Sequence, residues 1–138
     1  MASFNKFNIF TYDVLAKKHD FTADTFKVAL SNTAPTSANA VLADITQISA
    51  GNGYTTGGTA TSMSLSTSSG TAKATGTDVV FTASGGSIGP ARYAVLYNDT
   101  AASDPLVGWW DYGSSITLAS SETLTVDFDA SNGILTIV

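Results

Sequence analysis

Glycines are concentrated in one stretch, "ISAGNGYTTGGTA" (48–60), and this concentration raises the question of a phosphate-binding loop. A P-loop needs a lysine directly after its last glycine, where the ammonium group reaches the phosphates. Here Gly58 is followed by Thr59. A dinucleotide-binding loop needs its third glycine three residues after the second, but Gly57 comes four residues after Gly53. The stretch therefore predicts a tight turn in which glycines adopt positive φ.

Residues suited to acid–base catalysis are scarce in this chain. His19 is the only histidine and Glu122 the only glutamate, and Glu122 lies in a serine-rich turn. A general base needs a polar partner and a pocket, and His19 stands between Lys18 and Asp20 in a charged segment. We therefore interpret His19 as a cation at the end of a helix, and we expect no catalytic residues.

The stretch "DFDASNG" (127–133) resembles the start of a calcium loop, with acidic or hydroxyl side chains at alternate positions. A calcium loop of this kind requires glycine at its sixth position and glutamate at its twelfth. Those positions hold Asn132 and Val138. The stretch instead predicts a strand that runs into an Asn-Gly hairpin turn. With no cysteine in the chain, we expect neither a bound metal nor a cofactor.

Trp109 and Trp110 are adjacent, so on a strand they point to opposite faces of the sheet. Trp110 shares its register with Leu106 and Tyr112 and is predicted to fill the core. Trp109 shares a face with Val107 and Asp111. Three interpretations of Trp109 stay open: burial under a second layer, an anchor in a protein interface, or a platform for a sugar ring.

Composition excludes several classes of protein. The chain has 138 residues, 43% of them hydrophobic, which is enough for one domain (1–138) with a real core. Only 12% are charged, and the net charge is −5 with scattered basic residues, so nucleic-acid binding is not expected. No apolar run is long enough to span a membrane, and the first residues do not form a signal peptide. These features predict synthesis in a cytoplasm.

The strands and helices that position these residues follow from periodicity. A short helix is predicted over 12–18, with Thr11 as its N-cap and Tyr12 and Leu15 along one side, and one or two helical turns over 41–48. About eight short strands separated by turn residues predict an all-β fold, either a β-sandwich or a jelly roll. The predicted strands cover 25–31, 61–68, 78–83, 92–98, 104–112, 115–119, 123–129 and 134–138, and 72–75 is expected to pair with 61–68 as a hairpin across Gly70.

Two of these strands are apolar on both faces. "RYAVLYN" (92–98) has the pattern of a central strand that is covered on both sides. "ILTIV" (134–138) has the same pattern at the end of the chain. It is therefore either a central strand or a strand whose outer face meets another molecule.

Two long stretches, "DTFKVALSNTAPTSANAVLADITQISAGNGYTTGG" (24–58) and "DVVFTASGGSIGPARYAVLYNDTAASDPLVGWWDYGSSITLASSETLTVDFDASNGILTIV" (78–138), carry a resemblance. The chain resembles small structural proteins of tailed bacteriophages, in particular the jelly-roll capsid cement (decoration) proteins of the Bordetella phage type. The resemblance implies a homodimer on the outer surface of the capsid, where it clamps neighbouring major capsid protein subunits. It implies no catalytic, nucleic-acid-binding or membrane function.

For partner contacts, the sequence points to Phe4, Phe7 and Ile9, whose apolar side chains have no clear core period. Residues 1–10 are accordingly expected to form a docking arm whose deletion weakens capsid binding and leaves the fold intact. Arg92 and Trp109 are further candidates, since each is large and has no obvious local partner. The alternative hypothesis is a glycan- or receptor-binding module of a tail fibre or spike. A wall-degrading hydrolase is a third, and it lacks a plausible acid–base pair.

Overall fold

A computed structural model describes residues 2–138, which form ten β-strands, one α-helix and one 3₁₀ helix. All strand pairs are antiparallel, and the prediction of an all-β sandwich is confirmed. The elements in chain order are β1 (Phe4–Lys6), α1 (Asn8–Leu15), β2 (Phe26–Ser31), the 3₁₀ helix (Leu42–Asp44), β3 (Thr59–Thr61), β4 (Met63–Ser68), β5 (Thr71–Gly76), β6 (Val79–Thr82), β7 (Ile88–Asn98), β8 (Leu106–Leu118), β9 (Thr123–Val126) and β10 (Leu135–Ile137).

The main layer is a five-stranded sheet with the strand order β1-β8-β7-β2-β3. Its central strand, β7, is buried at every position from Tyr93 to Asn98. The prediction that 92–98 forms a central strand covered on both faces is therefore confirmed. β2 beside it is also buried on both faces, because Ala29 and Ser31 are buried as fully as Val28 and Leu30.

The second layer consists of two smaller sheets, β6-β9 and β10-β5-β4. The larger core cluster lies between the layers and brings side chains of β2, β7 and β8 against those of β6, β9 and the segment after β9. Its aromatic members include Phe26, Phe81, Trp110 and Phe128. Burial of such aromatic and branched side chains is the main driving force for the fold.

A smaller core cluster covers the opposite face of the five-stranded sheet. Phe7, Ala29, Ile45, Val95, Tyr97 and Leu106 form its buried part. Ile45 follows directly after the 3₁₀ helix, which lies within the predicted 41–48 segment. This second cluster explains why β2 and β7 are apolar on both faces.

The glycine-rich stretch is a turn, as predicted, and it closes one edge of β2. All four of its glycines have positive φ. Tyr54, between them, accepts a hydrogen bond at its hydroxyl from the Leu30 N–H (3.0 Å). The same hydroxyl donates to Gln47 Oε1 (2.9 Å). β3 ends before it reaches Leu30, so the Tyr54 hydroxyl supplies the acceptor that the Leu30 N–H would otherwise lack at this edge of the sheet.

The helix is displaced toward the N-terminus from its predicted position. It begins at Asn8, whose N–H donates to the Ser37 carbonyl (2.9 Å), so the prediction of a start after Thr11 is wrong. Its buried side carries Phe10 and Asp13, whereas Tyr12 and Leu15 face solvent. The helix ends in a Schellman motif in which the Lys18 N–H donates to the Asp13 carbonyl (2.9 Å).

β8 is one strand of 13 residues, although two strands separated by a turn at Gly113 are predicted for this region. Between Asp111 and Ile116, β8 bulges and its pairing with β7 is interrupted. Pairing resumes with Ile116 opposite Ala91, because β7 begins as early as Ile88. A second irregularity leaves Val107 without a partner on β7. Val107 therefore packs in the larger cluster and Leu106 in the smaller one, opposite to the faces predicted for them.

The C-terminal region also departs from expectation. β10 is an edge strand of its sheet, so a central position for 134–138 is excluded, while the alternative, an outer face that meets another molecule, stays open. β9 pairs with β6 and β10 with β5, so 127–133 is not a hairpin turn. The predicted β4–β5 hairpin is present, and β3 is a strand that the sequence pattern did not predict.

Candidate partner interface

The N-terminal segment is part of the sandwich and not a free arm. β1 pairs with β8, with Phe4 opposite Trp110 and Asn5 opposite Trp109. The Phe4 ring contacts the Trp110 indole edge-on, with 4.8 Å between centroids. Of the predicted arm (1–10), Met1 lies outside the described residues. Phe4–Lys6 forms an edge strand of the sheet, Phe7 is buried in the core and residues 8–10 begin α1, so deleting the segment is expected to damage the fold and not only partner binding.

Phe7 and Ile9 belong to the smaller core cluster. Phe7 is fully buried and packs on Trp109, with 4.6 Å between ring centroids. Ile9 is half-buried against the same cluster. Phe10 and Val14 are four residues apart, the helical spacing that puts both on one side of α1, and they pack against the larger cluster and not the smaller one. The structure thus brings Phe7, Ile9 and Trp109 together in the smaller cluster, whereas Phe4 packs against the larger cluster on the other face of the sheet.

The two tryptophans are unequally covered. Trp110 is buried between Phe4 and Phe128, which confirms its predicted place in the core. Trp109 is half-buried, with one side of its indole occupied by Phe7. Of the three interpretations of Trp109, partial burial is the one the structure favours.

Arg92 has a local partner that its sequence neighbours do not suggest. Its Nε and Nη2 atoms donate to the two carboxylate oxygens of Asp111 at 2.8 and 3.1 Å. Its guanidinium also lies over the Tyr93 ring, 5.3 Å from the centroid. The hydrogen bond from Arg92, with a further one from the Gly113 N–H, lowers the pKa of Asp111. The pair is solvent-exposed, so its arginine would have to leave Asp111 to contact another protein.

The most exposed apolar side chains of α1 point away from the sandwich. Tyr12 is 65% exposed and Leu15 is 83% exposed. Lys18 lies above the Tyr12 ring, with its ammonium group 5.9 Å from the centroid. We call Tyr12 and Leu15 the helix surface. The spacing of Tyr12 and Leu15 predicts that they share one side of a helix, but it does not predict that this side faces outward.

A second apolar group lies on one face of the β10-β5-β4 sheet; Leu65 and Ile137 are exposed there, whereas Ala74 is buried and Leu135 packs against the larger cluster. Leu65 on β4 is opposite Ala74 on β5, which is opposite Leu135 on β10, so these side chains share one face. The next row on that face ends at Ile137, which is 61% exposed. The other face carries mainly hydroxyl groups, such as Ser64 and Thr75, which are hydrogen-bonded to each other. We call Leu65, Ile137 and Val138 the small-sheet surface.

The prediction that His19 is a cation at the end of a helix is wrong. His19 belongs to an aromatic cluster in the loop after α1. Its ring lies 5.2 Å from that of Phe10 and 6.0 Å from that of Phe26, measured between centroids. Burial lowers the pKa of His19, although the nearby carboxylates of Asp13 and Asp24 partly oppose this shift. His19 is therefore neutral at pH 7, and its Nε2 has no partner among the described residues.

The structure offers no cluster of metal ligands within residues 2–138. In the stretch that resembles a calcium loop, the Asp129 carboxylate accepts hydrogen bonds from the backbone and side chain of Asn132 (2.9 and 3.0 Å). Asp127 accepts one from the Asp129 N–H (2.7 Å). These carboxylates therefore stabilise their own loop.

No helix in residues 2–138 is long and apolar enough to cross a membrane. Comparison of the chain with protein-family models, with curated proteins and with solved structures finds no match. The surfaces described above are therefore the basis for a functional assignment, together with the resemblance seen in the sequence.

Proposed function

We propose that this chain is a virion structural protein that binds the outer surface of a phage capsid and clamps neighbouring major capsid subunits. It would be synthesised in the bacterial host cytoplasm and act in the virion. The sequence resemblance to capsid cement proteins suggests this role. The low fraction of charged residues supports it, because a protein packed against neighbours needs little surface charge for solubility.

The observation that carries the proposal is the helix surface. A helix this short keeps its place only through packing of its buried side, yet Tyr12 and Leu15 expose large apolar areas to water. Exposed aromatic and aliphatic side chains of this kind become anchors when a partner excludes water from them. We assign this surface to the major capsid protein.

We propose further that a second copy of the chain docks on the small-sheet surface. The two edge strands of that sheet, β4 and β10, carry no charged residue and no proline, the usual devices that keep edge strands apart. A homodimer would present two helix surfaces, one to each of two capsid subunits. The second contact then forms at high effective concentration, and this is the physical basis of clamping.

The role requires no catalytic step. A protein that binds the assembled shell more tightly than its separate subunits stabilises the shell by mass action. The proposed role involves neither a cofactor nor nucleic acid.

The first experiment is the copy number of the chain in purified particles, measured by quantitative mass spectrometry against the major capsid protein. Hundreds of copies in a simple ratio to the capsid subunit support the proposal. A handful of copies would favour the alternative, a module of a tail fibre or spike. Absence from particles would contradict both.

The helix surface is tested by adding purified variants to shells that lack the protein and measuring bound protein by sedimentation. Tyr12→Ser with Leu15→Ser should lower the affinity at least ten-fold, because two anchors are removed. Val80→Ser is the matched control, since Val80 is 49% exposed on β6 and lies on neither surface. Equal binding of all three proteins would remove the helix surface from the interface.

The small-sheet surface is tested separately by light scattering after size-exclusion chromatography. Ile137→Lys should convert a dimer into a monomer, because it introduces a charge at the apolar contact. Val80→Lys should leave the dimer unchanged. A monomeric wild-type protein at all accessible concentrations would contradict the dimer and leave the helix surface to be judged by the shell-binding assay.

A further inference from the structure

A cleft of about 170 Å³ opens between the two layers of the sandwich beside β1 and β9. It is lined by Trp110 and Tyr112 of β8, by Thr125 of β9 and Asp127 just beyond it, and by Ala2. β8 and β9 belong to different sheets, so the cleft lies where the layers separate at their edge. Its walls are fixed, because Trp110 is held between Phe4 and Phe128.

Several polar groups in the cleft are free of intramolecular hydrogen bonds. Within residues 2–138, only Asp13 Oδ1 and His19 Nε2 are buried without a hydrogen bond, and Asp13 Oδ1 lies 3.0 Å from the Lys18 ammonium group. The indole N–H of Trp110 makes no hydrogen bond to another described residue either. The hydroxyls of Tyr112 and Thr125 are likewise unbonded among the described side chains. Asp127 uses Oδ1 to accept from the Asp129 N–H (2.7 Å) and has Oδ2 free.

Tyr112 and Asp127 both line the cleft, and the carboxylate affects the hydroxyl of Tyr112. Burial, and secondarily the Asp127 carboxylate, raise the pKa of Tyr112 to about 12. The hydroxyl is therefore protonated at neutral pH and able to donate. It does not hydrogen-bond to Asp127, although both residues line the cleft, so both groups are available to a ligand that accepts from the hydroxyl and donates to the carboxylate.

The mixture of donors and acceptors selects the chemistry of the ligand. A cation would pair with Asp127 but leave the indole N–H without an acceptor. An anion would accept from the indole and the hydroxyls but be repelled by the carboxylate. A neutral hydroxyl group both donates and accepts, so a polyol satisfies every group in the cleft.

We propose that this cleft binds one ring of a neutral, hydroxyl-rich ligand, such as the terminal sugar residue of a glycan. Its volume equals that of about six water molecules at ~30 Å³ each, which accommodates a single ring but no longer chain. The hydroxyls of the ligand replace water on Trp110, Tyr112 and Asp127, while the Tyr112 ring offers an apolar side to the C–H groups. This site does not depend on the capsid-binding proposal, because none of its residues lies on the helix surface or the small-sheet surface.

The test is a titration followed by two-dimensional ¹H–¹⁵N NMR on the full chain. The probes are the methyl glycosides of glucose, galactose and mannose, with myo-inositol as a polyol that is not a sugar, each to about 50 mM. The two indole N–H resonances report separately on Trp109 and Trp110, and a Trp109→Phe sample assigns them. We expect at least one probe to shift the Trp110 indole with saturation in the millimolar range, and the Trp109 indole to stay in place.

Two charged control ligands test whether binding is specific for neutral ligands, and one control variant tests whether it depends on the cleft. Butylammonium and inorganic phosphate should not shift the Trp110 indole. Thr125→Val and Tyr112→Phe should each weaken binding several-fold. Thr123→Val should not, because Thr123 is equally exposed on β9 but lies outside the cleft.

Each outcome is decisive for the proposal. A response to a glycoside identifies the end of a glycan as the ligand, and a response to myo-inositol alone identifies a free polyol. No saturable shift of the Trp110 indole with any neutral probe would overturn the proposal. So would a stronger response to butylammonium or phosphate.

Discussion

Asn98 is a single buried side chain that ties the segment after α1 to the end of the central strand. Its amide nitrogen donates to Asp24 Oδ2 (2.7 Å) and approaches His19 Nδ1 (3.3 Å). Its amide oxygen accepts from the N–H groups of Thr100 (2.9 Å) and Ala101 (3.2 Å). The position of His19 therefore depends on a polar network inside an aromatic cluster, and protonation of His19 must disturb it.

His19 should make stability depend on pH near neutrality. Its pKa is lowered in the folded protein from an ordinary value of 6.5, so below that pH the unfolded chain binds a proton that the folded one rejects. The free energy of unfolding is therefore highest above about pH 6.5 and falls as the pH drops, by at most about 1.4 kcal/mol per pH unit. Urea denaturation at about pH 7.5 and 5.5 measures this.

His19→Gln is the comparison, because glutamine does not titrate. Its unfolding free energy should change less between the two pH values than that of the wild type. A wild-type protein equally stable at both pH values would contradict the burial of a neutral His19.

Gly58 is a residue for which any side chain should be costly. Its φ is +77°, and a Cβ there would overlap the carbonyl of Val28 in β2. Gly70 has a similar φ of +83° but open space around it. Gly70→Ala should cost about 1 kcal/mol for the left-handed backbone alone, and Gly58→Ala at least about 2 kcal/mol more. Equal losses of unfolding free energy in chemical denaturation would show that the backbone at Gly58 does not lie this close to Val28 in β2.

At the scale of elements, β1 and the start of α1 are part of the core. Phe7→Ala should lower the free energy of unfolding by about 3–5 kcal/mol, because a fully buried aromatic ring is removed. Leu15→Ala, on the exposed side of the same helix, should change it by less than about 0.5 kcal/mol. Thermal and urea unfolding of the two variants measures the difference. A stable Phe7→Ala protein would restore the docking-arm hypothesis.

The sequence predicted those strands whose pattern depends on local residues. β2, β4, β5, β6 and β9, the central position of β7 and the glycine turn all follow from alternation and turn residues. β8 could not be predicted as one strand, because Gly113 has the appearance of a turn and only the length of β7 keeps the chain paired beyond it. The sheet faces predicted for Leu106 and Val107 are wrong for a similar reason, since a bulge reverses the alternation of side chains along β8.

The candidate surfaces were predicted less well than the strands. The spacing of Tyr12 and Leu15 indicates one side of a helix, but which side faces water depends on where the helix begins. That start is set by Phe7, which is held by β8 and the smaller core. The cleft beside Trp110 brings together residues from β8, β9 and the N-terminal segment, and no local pattern joins them.

At the scale of the whole molecule, stability should be unevenly distributed. β7 is buried on both faces and flanked by β8 and β2, whereas β4 is exposed along nearly its whole length. Amide hydrogen exchange should therefore be slowest in 93–98 and faster by several orders of magnitude in 64–68. Exchange at comparable rates in the two strands would mean that the β10-β5-β4 sheet is covered in solution, as it would be in a tight dimer.

The pairing of β1 with β8 has a consequence for the nascent chain on the ribosome. Phe4 finds its partner only when Trp110 has emerged, and β2 must wait for β7. Until then, Phe7, Phe10 and Phe26 leave the exit tunnel without the surfaces that bury them. The five-stranded sheet thus forms only after β8 has been translated, which slows folding and exposes aromatic segments to chaperones in the meantime.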